Sequence, residues 1–169
     1  MKTKKLLLNL GAVVGFVLLI LPMFLAMYQN LVGAGSLTST EPIGIFADWS
    51  ILAELYSAAG KTFPSFLSII IDILAVVLLW LASVYVLLFV LQLLKVGKTA
   101  KLDKMKRLFS LITLIVTILV AVLYVIFVLT ASVKEGSLAY AFIPGIGTYM
   151  LFAGGLMLGV FGILASTKK

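Results

Sequence analysis

Four long apolar runs, separated by shorter polar segments, dominate the pattern of hydrophobic and polar positions along the chain. The runs cover about residues 6–26, 64–94, 108–133 and 140–165. Each can cross the roughly 30 Å hydrocarbon core of a bilayer as a helix, which takes about 20 residues. We therefore predict an all-α integral membrane protein whose single domain, residues 1–169, is a four-helix bundle.

The segment between the second and third runs, residues 95–107, holds six of the thirteen basic residues. Short loops rich in Lys and Arg are kept on the cytoplasmic side of a membrane. We therefore expect this segment to be an inner loop and both chain termini to be inside. Each terminus carries a basic cluster of its own: Lys2, Lys4 and Lys5; Lys168 and Lys169.

Residues 27–63 form the one sizeable segment expected outside the membrane, and residues 134–139 form a short outer turn. Ile45, Trp49, Leu52 and Tyr56 recur at helical spacing, which predicts a short amphipathic helix over about 47–59. Asp48 is a suitable N-cap and Gly60 a suitable stop. We expect this helix to lie on the outer membrane surface or across the top of the bundle.

Composition supports the membrane assignment, because 63% of the residues are hydrophobic and only 11% are charged. Soluble domains carry about 25% charged residues. The net charge of +7 comes from the three basic clusters, which is positive-inside bias and not a nucleic-acid groove. Membrane lipids are thus expected partners, with a secondary attraction to anionic headgroups at the same residues. Nucleic acid is not an expected partner.

Small and polar residues mark the packing faces, since apolarity does not distinguish a buried face in lipid. Each run has such a stripe: Gly11 and Gly15; Ser65, Ser68, Asp72, Ala75 and Ala82; Ser110, Thr113, Thr117, Ala121 and Tyr124; Thr148, Gly155, Gly159, Gly162 and Ser166. Close helix approach within one chain explains these glycines, and a dimer interface is the less favoured alternative. Asn9 and Gln92 lie near the inner boundary and are interpreted as interface residues.

Asp72 is the only acidic residue inside an apolar run, and intramembrane carboxylates are functional by default. Counting about twenty residues outward from Lys95 places Asp72 close to the outer interface. Three interpretations remain open. The carboxylate could pair with Lys61, Lys134 or neighbouring hydroxyls, could contact a partner or ligand, or could take part in ion or proton translocation.

Catalysis has little support, because the chain has no Cys and its His count is 0. Thiolate and imidazole chemistry are excluded, and neither a metal site nor a cofactor is expected. Asp48 and Glu54 are six residues apart and face different sides of the expected helix, so they do not form a catalytic pair. We therefore predict that the protein is not an enzyme.

Over its whole length the layout resembles the claudin and peripheral-myelin type of tetraspan membrane protein. Both ends are expected inside, the first outer loop is the larger, and the other two loops are short. That family's first loop carries a Trp, a Gly-Leu-Trp and two cysteines, whereas Trp49 stands alone here. Because this chain has no cysteine, we do not predict the disulfide-linked outer sheet of that family. The resemblance implies a non-catalytic scaffold that binds partners.

The leading hypothesis is a structural or accessory subunit that associates laterally with itself or with a larger membrane complex. Its contacts would be the glycine-lined faces and the outer segment 43–59, with Trp49 and Tyr56. The alternative is an ion, proton or small-solute transport component in which several copies place Asp72 around a shared path. A toxin-immunity or envelope-stress protein would share the features of the first hypothesis. We expect the plasma membrane of a bacterium, because twelve Lys against one Arg is typical of AT-rich bacterial genomes.

Overall fold

The computed structural model describes residues 3–34, 37–44, 49–58, 61–135 and 138–167. Within these residues the chain forms five α-helices: α1 (Thr3–Ile20), α2 (Trp49–Ala58), α3 (Ser65–Leu93), α4 (Thr99–Ala131) and α5 (Ile146–Ser166). Four of them, all but α2, are long and apolar enough to cross a membrane. These four pack as a bundle, in which α1 and α4 each contact both α3 and α5.

Glycines bring α1 and α5 into backbone contact at the centre of the bundle. A Cβ atom on Gly15 would lie 2.7 Å from the Gly154 carbonyl oxygen and 2.7 Å from the Leu158 nitrogen. A Cβ atom on Gly11 would lie 2.8 Å from the Phe161 ring. Only a residue without a side chain allows the two helices to approach this closely. The first glycine pair is therefore used for packing within the chain.

A four-stranded antiparallel sheet corrects the prediction of an all-α fold. The strands are β1 (Tyr28–Ala34), β2 (Leu37–Ile43), β3 (Val133–Glu135) and β4 (Leu138–Pro144), in the order β2-β1-β4-β3. The two central strands come from distant parts of the chain, with Tyr28 opposite Pro144 and Ala34 opposite Leu138. Because each segment satisfies the backbone of the other, this long-range pairing cannot be read from either segment alone.

Two hairpins with two-residue connections build the sheet. The register places Ala34 opposite Leu37 and Glu135 opposite Leu138, so each hairpin leaves a Gly-Ser pair between its strands. Gly followed by Ser is one of the sequences typical of two-residue hairpins. The repeated Gly-Ser pair was thus a sequence signal for the two hairpins, but not for the pairing of β1 with β4 that joins them into one sheet.

The sheet joins the helices through backbone hydrogen bonds where β4 runs into α5. The Gly145 amide donates to the Met27 carbonyl and the Gly147 amide to the Ala26 carbonyl, each at 2.9 Å. The Thr148 hydroxyl also donates to the Met27 carbonyl. Residues 140–144, expected to begin the fourth membrane helix, are strand instead, and α5 begins only at Ile146. We call this end of the bundle the sheet end.

The opposite end, the basic end, contains the start of α1, the α3–α4 connection and the end of α5. Lys95 ends α3 in the left-handed region with φ 56°, and the Val96 amide donates to the Leu91 carbonyl at 2.9 Å. This is a Schellman-type helix stop. Gly97 is also left-handed, with φ 83°. Residues 99–107, expected to belong to a loop, are the first turns of α4.

The expected outer helix is present as α2, from Trp49 to Ala58. The proposed cap Asp48 and stop Gly60 lie outside the described residues.

Candidate functional site

Lys106 is the most unusual side chain of the basic end, because it is an amine with no exposed surface. Its Nζ donates to Asn9 Oδ1 at 2.8 Å and to Gln92 Oε1 at 2.6 Å. Asp103 Oδ1 lies 3.4 Å away on the same helix. Two of the three donors of the ammonium group therefore bind amide oxygens, and the Asp103 carboxylate supplies the opposite charge. A buried charge is tolerated only when it is paired and hydrogen-bonded in this way.

Asn9 connects α1 to the same cluster. Its Oδ1 accepts from the Tyr85 hydroxyl at 2.9 Å as well as from Lys106, and its Nδ2 donates to the Lys5 carbonyl at 2.6 Å. The Lys106 ammonium also lies 5.8 Å from the Tyr85 ring centroid and 5.7 Å from that of Phe89, within the range of cation–π attraction. One side chain of α1 is therefore bonded to α3 and α4 simultaneously.

Asp103 supplies the negative charge of the cluster. It accepts the Lys5 ammonium in an ion pair, and the Gln92 amide donates to its Oδ1 at 3.2 Å. Two ammonium groups, Lys5 and Lys106, thus share one carboxylate. We call Lys5, Asn9, Tyr85, Gln92, Asp103 and Lys106 the polar cluster, and its formal charge is +1.

Lys106 was expected in a solvated inner loop, but its side chain is fully buried. The available signal was helical spacing, because Lys106, Ser110, Thr113 and Thr117 follow one another at intervals of four, three and four. All four are buried on one face of α4. The small polar stripe of the third membrane helix therefore begins one turn earlier than its hydroxyl residues suggest.

Asp72 lies at the sheet end, two turns into α3, and is partly buried. It lies near Tyr28, the first residue of β1, whose side chain is fully buried. Burial raises the pKa of the Tyr28 phenol above its ordinary value, and the nearby Asp72 carboxylate raises it further. Asp72 therefore stands close to the sheet and well separated along the helices from the polar cluster. Ser68, one turn earlier, is buried and donates to the Ser65 carbonyl at 2.8 Å.

An aromatic cluster joins the sheet to the helix ends. Phe127 on α4 contacts the rings of Tyr28, Phe63 and Phe142 at centroid distances of 5.2, 5.9 and 5.2 Å. Tyr56 on α2 contacts Phe63 at 5.0 Å, and its hydroxyl donates to the Ala131 carbonyl at the end of α4. Edge-to-face pairs of this kind add to the stability gained from burial. Through these two contacts, Tyr56 holds α2 against the bundle.

Of the remaining predicted residues, Gly155 and Gly159 have a packing role, whereas the side chain of Trp49 is not described. A Cβ atom on Gly155 would meet the Thr117 hydroxyl, and one on Gly159 would lie 2.9 Å from Leu114 Cβ. These glycines therefore pack α5 against α4 within one chain. Trp49 begins α2, but its side chain lies outside what the structure describes. Among the described residues, no three His, Cys, Asp or Glu side chains come together to hold a metal ion.

An apolar groove of about 290 Å³ runs between α4, the end of β4 and α5. Its walls include Tyr124, Val125, Leu129, Tyr149 and Phe152. Leu129 and Tyr149 are largely exposed, so the groove lies on the outside of the bundle.

Comparison with known proteins gives no assignment: no family model matches the sequence, and no curated protein matches it significantly.

Proposed function

We propose that this chain is a small tetraspan membrane protein that acts as a non-catalytic structural or accessory subunit. It would associate laterally with a second copy or with a larger membrane complex. The proposal rests on the sheet end, where two distant chain segments and α2 are fastened to the helices by the aromatic cluster. Because these contacts hold the sheet end in one conformation, its surface is preorganised, which lowers the entropic cost of binding a partner.

The exposed side of α2 is the surface that we assign to the partner. Ser50, Glu54 and Ser57 are exposed at spacings of four and three, whereas Ala53 and Tyr56 face the bundle. The glycine faces of α1 and α5, which the sequence offered as association surfaces, are occupied by contacts within the chain. Association through α2 leaves those contacts intact.

We also propose that the basic end faces the cytosol of a bacterial cell and the sheet end faces outward. The positive-inside rule supports this orientation, since eight described cations lie at the basic end: Lys4, Lys5, Lys95, Lys98, Lys101, Lys104, Lys106 and Arg107. Because the chain has no cysteine, one introduced thiol reports orientation cleanly. In intact cells a membrane-impermeant maleimide should label Gly44→Cys and leave Lys98→Cys unlabelled. The reverse pattern would invert the orientation.

Lateral association is tested by purification in mild detergent, followed by chemical cross-linking and mass measurement. We expect a cross-linked dimer or a co-purifying membrane protein, and we expect Ser57→Arg to remove it by placing a bulky cation on the exposed side of α2. Thr62→Arg is the matched control, because Thr62 is exposed at the same end but outside α2. A strictly monomeric protein with no partner contradicts the proposal.

The same preparation separates this function from transport. If the protein carried ions or protons through Asp72, liposomes containing it would show a flux that Asp72→Asn abolishes. The accessory role predicts that the wild type and this variant give the same flux as empty liposomes.

A further inference from the structure

The outward face of α4 changes from apolar to cationic within one helical turn. Leu108, Leu111 and Ile115 are exposed on this face and belong to a helix apolar enough to span a membrane. Lys101, Lys104 and Arg107 are also exposed: Lys104 precedes Leu108 by four residues, Arg107 precedes Leu111 by four, and Lys101 precedes Lys104 by three. Side chains at such spacings are neighbours on one helix face. The three cations are therefore the direct continuation of the apolar stripe.

The charges of these three cations are left available by the fold. Asp103 is the only acidic residue between positions 95 and 107. Its oxygens bind Lys5, Lys106 and Gln92 on the opposite, buried side of α4. The ion pairs that the structure describes at this end do not include Lys101, Lys104 or Arg107. The polar cluster behind them carries a further formal charge of +1, which adds to the positive potential.

We propose that Lys101, Lys104 and Arg107 bind the phosphate of an anionic phospholipid whose acyl chains lie along Leu108, Leu111 and Ile115. We call these six residues the lipid face. Lys104 precedes Leu108 by four residues, which is about 6 Å along the helix axis. A lipid that lies against Leu108 therefore places its phosphate at the level of the cations. This continuity favours a lipid over a soluble acidic partner, which would require cations projecting away from the apolar stripe.

Lipid retention in native mass spectrometry tests the proposal on the full chain. The protein would be reconstituted in phosphatidylcholine nanodiscs with and without phosphatidylglycerol, and the bound lipids counted after release. The test variant is Lys101→Gln with Lys104→Gln and Arg107→Gln. The matched control, Lys101→Arg with Lys104→Arg and Arg107→Lys, keeps all three charges on the same face.

We expect the glutamine variant to bind phosphatidylglycerol roughly 100-fold more weakly, from about fivefold for each of the three cations near a membrane surface. The charge-conserving control should bind like the wild type. Equal phosphatidylglycerol retention in all three proteins would overturn the proposal. Full displacement of the lipid by millimolar inorganic phosphate would also overturn it, because the site would then recognise a soluble anion.

A second measurement needs no variant and guards against misfolding. Because charges at a membrane surface are screened by salt, phosphatidylglycerol retention by the wild type should fall steeply between low and high ionic strength. Phosphatidylcholine retention should change little over the same range. A salt-independent preference for phosphatidylglycerol would assign recognition to other residues and contradict the lipid face.

Discussion

The basic end and the sheet end of the bundle are fastened by different chemistry. At the basic end, two ammonium groups, one carboxylate, two amides and a phenol satisfy one another across α1, α3 and α4. At the sheet end, packed aromatic rings and hydroxyl-to-carbonyl hydrogen bonds join the sheet and α2 to the helices.

This difference predicts how each end responds to substitution. A charged network depends on every member, because removing one partner leaves another buried charge uncompensated. An aromatic cluster depends on volume, because a lost ring leaves a cavity that its neighbours fill only in part. The two ends should therefore respond to different kinds of substitution.

The largest expected effect is from Asp103→Asn at the basic end. This change keeps the side-chain shape but leaves Lys5 and Lys106 without their shared carboxylate. Loss of one partner from a buried ion pair costs about 3–5 kcal/mol. The free energy of unfolding in detergent should fall by that amount. Glu54→Gln, the same chemical change at an exposed position, should leave it unchanged.

A similar or slightly smaller loss is expected from Phe127→Ala at the sheet end. Phe127 has no exposed surface and contacts three other rings, so its removal leaves a cavity. Truncation of a buried Phe costs about 3–5 kcal/mol. Phe66→Ala is the control, since Phe66 is 73% exposed. Equal unfolding free energies for the two variants would argue against a packed cluster around Phe127.

An intermediate effect is expected from Gly15→Ala, between the two ends. The added methyl group would meet backbone atoms of α5 at 2.7 Å, so α1 and α5 must move apart. Overpacking of this kind costs about 1–3 kcal/mol. Gly44→Ala serves as the control, because a Cβ atom there would have no neighbour within 4 Å. If Gly15→Ala instead changed only the oligomeric state, Gly15 would belong to an intermolecular surface.

The smallest effect is expected from Tyr56→Phe, which removes one hydroxyl and keeps the ring. Losing the hydrogen bond to the Ala131 carbonyl should cost about 0.5–1.5 kcal/mol. Amide hydrogen exchange should rise in α2 and stay constant around the polar cluster. Tyr149→Phe, at a residue 61% exposed, should change neither region. Faster exchange at both ends would mean that the aromatic cluster and the polar cluster stabilise each other.

Much of the helical framework could be read from the sequence, because a membrane-spanning helix satisfies its own backbone and needs only a sufficient apolar run. The glycines and hydroxyl residues that pack α1, α4 and α5 could be read for a similar reason, since small residues mark close approach in lipid. The amphipathic spacing around Tyr56 also predicted α2, whose buried face the structure now assigns to the bundle.

The sheet and the polar cluster were decided by tertiary structure. β1 and β4 exist because segments more than a hundred residues apart complete each other's hydrogen bonds, and no local pattern encodes that pairing. From the sequence, Lys106 was expected to be one of several loop cations. In the structure it is buried because α1 and α3 place Asn9 and Gln92 within hydrogen-bond distance of it. Apolar length alone determined the membrane helices, whereas the environment of each buried polar group was determined by which helices became neighbours.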